Sequence, residues 1–96
     1  MRGYEVVYLV DPALPEEEIN ALVERFTELA KSQGSKVENV TRWDKRRLAY
    51  PIKGKREAFY VIMSLRGEPA GMAELKRVLS LTEPVLRQMA VRTDGE

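Results

Sequence analysis

A seven-residue run near the N-terminus, Y-E-V-V-Y-L-V from Tyr4 to Val10, constrains the fold of this chain most strongly. The run is rich in β-branched and aromatic residues, and both of its alternating faces are largely apolar. A strand of this kind needs cover on both faces, so we expect it in the centre of a sheet. Asp11 and Pro12 end the strand. The rest of the chain therefore has to supply neighbouring strands and a covering layer.

Two helices are predicted, one before and one after a β-hairpin along the chain. Pro15 and the three glutamates after it mark the start of the first helix, because proline fits a first turn and acids stabilise the positive end of the helix dipole. Gly34 is its predicted left-handed cap. The second helix begins at Glu68-Pro69. Its predicted buried stripe, at helical spacing, comprises Met72, Leu75, Val78 and Leu79.

Three further segments have the character of strands, namely Val37 to Ile52, Ala58 to Leu65, and Val85 to Arg92. The apolar residues of the first of these change from one alternating face to the other, which predicts a bulge near Trp43–Lys45. Pro51 predicts an edge position for the same strand, because proline cannot donate a hydrogen bond to a ladder.

The order β-α-β-β-α-β predicts one α+β domain over residues 1–96. The expected architecture is a ferredoxin-like sandwich, in which a four-stranded antiparallel sheet carries both helices on one face. The other face of the sheet is then left partly open, with apolar side chains on it. Such a surface is either tolerated or used for docking.

Composition excludes several classes of function. The chain has no Cys and no His, which excludes disulfides, thiolate nucleophiles, His bases and the usual zinc sites. No apolar run approaches the ~20 residues of a membrane-spanning helix, and the N-terminus lacks an apolar signal core. We therefore expect a cytoplasmic protein with no membrane partner. An acylphosphatase-like enzyme shares the fold class, but a Gly-rich loop after the first strand is missing, so no enzyme, cofactor, metal or small-molecule substrate is predicted.

The segment from Arg42 to Arg56 is the strongest functional signal. It holds seven of the 16 Lys and Arg residues and only one acid, Asp44, although the net charge of the chain is only +1. Its cations alternate with apolar and aromatic groups. This pattern suits a polyanion, because neutralising phosphates releases counterions and arginine grips phosphate bidentately. The alternative is a solvated edge strand whose charges prevent aggregation.

An RNA-recognition module shares the predicted topology and is an alternative function. Its third strand carries aromatic residues that stack bases. In the corresponding segment here, Glu57 stands in place of a glycine, and Ala58 and Met63 stand in place of aromatics. Phe59 is interpreted as a core residue. A stand-alone single-stranded RNA-binding module therefore remains an alternative, as does a regulatory protein-interaction domain.

Three segments together resemble the bacterial small-subunit ribosomal protein S6 family. They are K-R-R-L-A-Y-P-I from Lys45 to Ile52, the opening M-R-G-Y-E, and the C-terminal stretch with Glu83–Arg87 and Val91–Asp94. The likeness extends along essentially the whole chain. One departure is Asp44, which stands where the family usually has glycine.

The resemblance implies a structural constituent of the small ribosomal subunit in the cytoplasm. It implies binding to the central domain of small-subunit rRNA together with ribosomal protein S18, as a heterodimer that aids platform assembly. It implies neither catalysis nor a cofactor.

Candidate site residues follow from the resemblance and from the strand pattern. The RNA-binding candidates are Arg2, Arg46, Arg47, Arg87 and Arg92, with Lys53, Lys55 and Arg56 at the hairpin tip as a second patch or a solvated turn. The candidates for the protein partner are Leu48, Tyr50, Tyr60 and Ile62, for which ordinary sheet packing is the alternative. Because the first strand of this fold lies beside the last, Arg2 is expected near Arg92.

Overall fold

The computed structural model describes residues 1–93, apart from the side chain of Asp44. The elements in chain order are β1 (Arg2–Val10), α1 (Glu16–Ser32), β2 (Lys36–Ile52), β3 (Lys55–Gly67), α2 (Pro69–Leu81) and β4 (Val85–Arg92). This is the predicted β-α-β-β-α-β order. The accommodation of the Asp44 side chain, and Asp94 of the C-terminal motif, lie outside the described residues.

The four strands form one antiparallel sheet in the order β2-β3-β1-β4. β1 lies between β3 and β4, as its two apolar faces predicted. β2 lies at an edge, as Pro51 predicted. The pairing of β2 with β3 shifts between Trp43 and Arg46, so the predicted bulge is also present.

Both helices pack on the same face of the sheet. Val6, Tyr8 and Val10 of β1 point to that face and are buried with Phe26 of α1 and Leu75 of α2. The rings of Tyr8 and Phe26 meet edge to face, with centroids 5.3 Å apart and an interplanar angle of 78°. Since side chains alternate along a strand, the intervening residues of β1 face the opposite side of the sheet.

The far end of the β2–β3 hairpin leans over the sheet. Arg47 pairs with Glu57 and Ile52 pairs with Lys55, so Leu48–Pro51 of β2 are opposed by a single residue of β3. The two-residue turn beyond them has positive φ at Lys53 (51°) and at Gly54 (79°), which twists the two strands tightly together. The extra length in β2 lets this segment reach strands that are not its neighbours in the sheet.

The buried phenol of Tyr8 makes the stability of the fold depend on pH. Burial raises its pKa far above the usual value, and Arg42 offsets a smaller part of that rise. Such a phenol gives up its proton more readily in the unfolded chain. Its contribution to stability is therefore complete below the ordinary tyrosine pKa of about 10 and is lost as the pH rises above it.

We expect the free energy of unfolding to fall more steeply above pH ~10 in the wild type than in Tyr8→Phe. The Tyr8 hydroxyl makes no hydrogen bond among the described residues, so the substitution leaves no partner unpaired. Urea unfolding at a series of pH values from 8 to 11 measures the difference. Tyr50→Phe is the control, because Tyr50 is 60% exposed and is expected to keep the wild-type slope. A wild-type slope in Tyr8→Phe would contradict this account.

Candidate nucleic-acid and partner interface

The side of the sheet away from the helices, called the open face below, carries unusually many exposed apolar groups. Among the described residues, six large hydrophobic side chains are exposed, and four of them lie here. These four are Trp43, Tyr50, Met89 and Val91. Half-buried Ile62 pairs with Val7 beside them. An apolar surface of this kind is typical of a docking site.

One end of the open face is covered by the chain itself. Leu9, Ala58 and Leu86 form a small buried cluster there, against which Leu48, Ile52 and Tyr60 pack. Leu48 and Ile52 come from the hairpin end that leans over the sheet. A shallow groove of about 170 Å³ remains beside this cluster and is lined in part by Tyr50, Tyr60 and Met89.

The four candidates for the protein partner come together on this face. Leu48, Tyr50 and Tyr60 line or border the groove. Ile62 lies on the same side of β3 as Tyr60, two residues further along the strand. Phe59 has the opposite orientation and packs against the core below the helices, as the sequence predicted.

Arg2 and Arg92 lie at one end of the sheet. Tyr4 pairs with Arg92, and the backbone nitrogen of Thr93 donates to the carbonyl oxygen of Gly3 at 2.9 Å. Arg2 therefore lies on β1, one residue before Gly3 and beside the end of β4 that carries Arg92. Both arginines are exposed, and the structure brings them to one end of the molecule, as expected.

The cations of the hairpin tip lie at the other end. The ammonium nitrogen of Lys53 donates to the carbonyl oxygen of Val85 at 3.4 Å, and that of Lys55 is 3.6 Å from the carboxylate of Asp11. Arg56 is exposed beside them. The nine residues of β1 run from one end to the other, and the eight steps between them, at ~3.3 Å each, span roughly 25 Å. The hairpin tip and the Arg2–Arg92 pair are thus separate patches.

The adjacent residues Arg46 and Arg47 are placed on opposite sides of the sheet. Arg46 pairs with Ala58 on the open face, and its guanidinium carbon is 5.0 Å from the centre of the Trp43 ring. Arg47 pairs with Glu57 on the side of the helices and lines an open groove of about 340 Å³ with Lys55 and Arg56. A ligand therefore contacts both only if it reaches around the edge strand β2.

Arg87 lies on the open face, where its Nη1 donates to the hydroxyl of Tyr50 at 3.0 Å. This bond joins β4 to the hairpin end across the width of the sheet. A candidate for phosphate binding and a candidate for the partner surface are therefore in direct contact. Because the two residues are 37 positions apart in the chain, no local sequence pattern predicted this contact.

Two residues of the basic segment have roles that the sequence did not assign. Trp43 is 43% exposed on the open face and stacks on Tyr60, with centroids 6.3 Å apart and ring planes at 26°. Arg42 is tied to α1 through an ion pair with Glu16 at 3.7 Å and a hydrogen bond to Asn20. The bulge predicted near Trp43 was the one sequence feature that bore on these roles, because a bulge sets which side of the sheet each nearby residue faces.

Within the part of the chain that the structure describes, no group of three or more His, Cys, Asp or Glu residues is arranged to hold a metal ion. No helix there is long and apolar enough to cross a membrane. The fold and the surfaces together define a class of protein, a ferredoxin-like binding domain with one aromatic and apolar face and several exposed cation clusters.

Comparison with known proteins identifies the family. The family model described as Ribosomal protein S6 matches residues 3–92. The small ribosomal subunit protein bS6 of Caldanaerobacter subterraneus is 45% identical over 94 residues, which cover 98% of this chain and 99% of that protein. The same protein of Desulforamulus reducens is 42% identical over 96 residues, which cover 100% of this chain and 100% of that protein. The crystal structure of 30S ribosomal protein S6 from Thermotoga maritima has a TM-score of 0.92 at 30% identity and covers 96% of this chain and 87% of that one.

The chain therefore belongs to the ribosomal protein S6 family. Members of this family are structural components of the small ribosomal subunit in the bacterial cytoplasm and are not enzymes. The predictions of family, fold, non-enzymatic role and location are confirmed.

The buried cluster under the hairpin end gives a test of how the open face is built. We expect Leu86→Ala to lower the free energy of unfolding by about 2–4 kcal/mol, because Leu86 is only 7% exposed and its loss leaves a cavity. Leu81→Ala is the matched control, since Leu81 is 71% exposed and is expected to cost little. Guanidinium unfolding measures both, and equal costs would show that the hairpin end does not cover the sheet.

Proposed function

We propose that this chain binds the central domain of small-subunit rRNA together with ribosomal protein S18, as a heterodimer that aids platform assembly. The observation that carries the proposal is the division of the surface. Exposed cations stand at both ends of the sheet, and the apolar groups concentrate on one face between them. Two partners of different chemistry fit such a surface better than one.

The RNA side of the proposal rests on the exposed cations. Contacts to phosphate are proposed for Arg2, Arg46, Arg47, Lys53, Lys55, Arg56, Arg87 and Arg92. Their spread over both ends of the sheet suits a folded RNA surface wider than a single groove. Recognition is then mainly of backbone and shape, since the deep groove of an RNA helix is closed to side chains.

The protein side of the proposal rests on the open face. Leu48, Tyr50, Tyr60 and Ile62 supply the contact surface, and the groove beside Tyr50 supplies a place for an apolar side chain. A partner seated there fixes the Tyr50 ring and with it the guanidinium of Arg87. The partner thereby prepares a cation for RNA, which reduces the ordering cost of the second binding event. This makes binding of the two partners cooperative.

The alternative, a stand-alone single-stranded RNA-binding module, is favoured by one observation. Trp43 and Tyr60 form a stacked aromatic pair on the open face, and sheet aromatics are what such modules use. Dependence on S18 discriminates between the two functions. The scaffold needs the partner for tight binding to central-domain RNA, whereas the module binds an unstructured oligonucleotide equally well without it.

Salt dependence tests the phosphate contacts. We expect tight binding to central-domain RNA only with S18 present. Arg46→Ala and Arg47→Ala should each make the slope of log affinity against log salt shallower by about 1, and the double variant by about 2. Arg77→Ala is the control, because Arg77 lies on α2 and its guanidinium already bonds the Glu74 carboxylate at 2.7 and 2.9 Å.

The two single variants separate the two sides of the sheet. A slope changed by Arg46→Ala alone would place RNA on the open face, and one changed by Arg47→Ala alone would place it on the side of the helices. Unchanged slopes in both, with wild-type binding intact, would remove these residues from the interface. Equal affinity with and without S18 would contradict the cooperative scaffold.

The partner surface is tested at Tyr50. We expect Tyr50→Ala to weaken binding to S18 in the absence of RNA by about 10-fold, or about 1.4 kcal/mol, because large aromatic side chains dominate interface energies. Tyr50→Phe should keep most of this affinity, since it retains the ring. Isothermal titration calorimetry measures both, with Leu81→Ala as a control of comparable exposure on α2. Wild-type affinity in Tyr50→Ala would remove this residue from the partner surface.

A further inference from the structure

We propose that Trp43, Tyr60 and Arg46 form a stacking site for one unpaired base of the RNA. The inference rests on the proposed RNA-binding function and goes beyond phosphate contact, because it assigns the open edge of the sheet a nucleobase. Neither the sequence motifs nor the family comparison assigns Trp43 a role.

The geometry is that of a small aromatic platform. Trp43 and Tyr60 are directly paired on β2 and β3, and their rings are close to parallel, with centroids 6.3 Å apart. Trp43 remains 43% exposed, so part of its ring is open to a ligand. Base stacking on such rings changes affinity by about 10-fold per base and tolerates any base, because every base has a π-face.

Arg46 completes the site. Its guanidinium lies 5.0 Å from the centre of the Trp43 ring, where stacking keeps it on the platform. A base that stacks beside it brings its own phosphate within reach of the same guanidinium. The side chain then serves both parts of one nucleotide, the π-system and the charge.

The surroundings favour a nucleotide over an apolar protein segment. Around Trp43 the chain carries Lys45 and Arg46, both exposed, and Arg47 lies on the helix side of the same edge strand. The other end of the open face, at Leu9 and Leu86, is mainly apolar and has Arg87 as its cation. Tyr60 lies at the boundary and packs against both regions. The open face is thus divided into an aromatic and cationic edge and an apolar end, and charge complementarity assigns the edge to RNA.

The position on an edge strand also fits this occupant. Among the described strands, β2 has no neighbour on its outer side, so a nucleotide can approach Trp43 laterally. The groove beside Tyr50 and Met89 is lined by Tyr60 as well but not by Trp43, so a protein partner there leaves the Trp43 ring accessible. The platform differs from that of an RNA-recognition module, whose third-strand motif this chain lacks, because its larger ring comes from the edge strand.

The single tryptophan of the chain makes the test direct, since all tryptophan fluorescence comes from Trp43. The full chain is titrated at low salt with a single-stranded RNA octanucleotide and with an abasic octamer that carries the same number of phosphates. We expect the octanucleotide to quench the Trp43 emission and the abasic octamer to leave most of that emission unquenched.

Matched variants measure the contribution of the ring through the anisotropy of a labelled octanucleotide. Trp43→Ala should weaken binding by about 10-fold, whereas Trp43→Phe should stay within about 3-fold of the wild type. Val91→Ala is the control, because Val91 is 54% exposed on the same face at the opposite edge, and it should bind as the wild type does. Circular dichroism confirms that each variant is folded.

Three results would overturn the inference. They are equal quenching by both octamers, unchanged octanucleotide affinity in Trp43→Ala, and quenching of Trp43 by S18 alone together with a loss of S18 affinity in Trp43→Ala. The last would assign the platform to the protein partner. If these arms fail while wild-type chain and S18 still bind central-domain RNA, only the stacking site is wrong. If wild-type chain and S18 fail to bind that RNA, the proposed function itself is wrong.

Discussion

The central strand β1 needs cover on both of its faces, and the rest of the structure depends on how that cover is divided. The two helices bury Val6, Tyr8 and Val10 on one side. On the other side no helix is present among the described residues, and Leu9 is buried instead by the end of the β2–β3 hairpin. This cover extends over only one end of the sheet. The remaining apolar surface is therefore a consequence of the topology, and it is available for a partner.

The segment that resembled the family motif has a physical explanation in this arrangement. Leu48 and Ile52 are the apolar groups that hold the hairpin end on the sheet, and Tyr50 reaches Arg87 on the far edge strand. Pro51 is tolerated because it lies on an edge strand where four residues oppose one, so no ladder bond is lost. The residues of the motif thus cover one end of the open face. The position of the hairpin end also sets where the neighbouring cations lie.

The sequence predicted correctly those features that a simple residue pattern and one physical requirement decide. The central position of β1 followed from its two apolar faces, and the edge position of β2 followed from Pro51. It could not decide on which side Arg46 and Arg47 lie, because a shift of one residue in the bulge exchanges the two faces. Nor could it find the contact between Tyr50 and Arg87, which depends on a hairpin end leaning across β3 and β1 to reach β4.

The division of the cations decides how an RNA can be held. Arg2 and Arg92 stand roughly 25 Å from the hairpin tip along β1, so no single phosphate group reaches both. A folded RNA that spans the molecule contacts both ends, whereas a ligand of one or two nucleotides contacts one. Under the proposed function, each end alone gives weak, salt-dependent binding, and affinity comes from engaging the ends together. The Tyr50–Arg87 bond adds a physical link between the apolar face and the cations, because a partner that orders the ring also orders the guanidinium. Under the proposed function, these two features make assembly cooperative without any change in the fold.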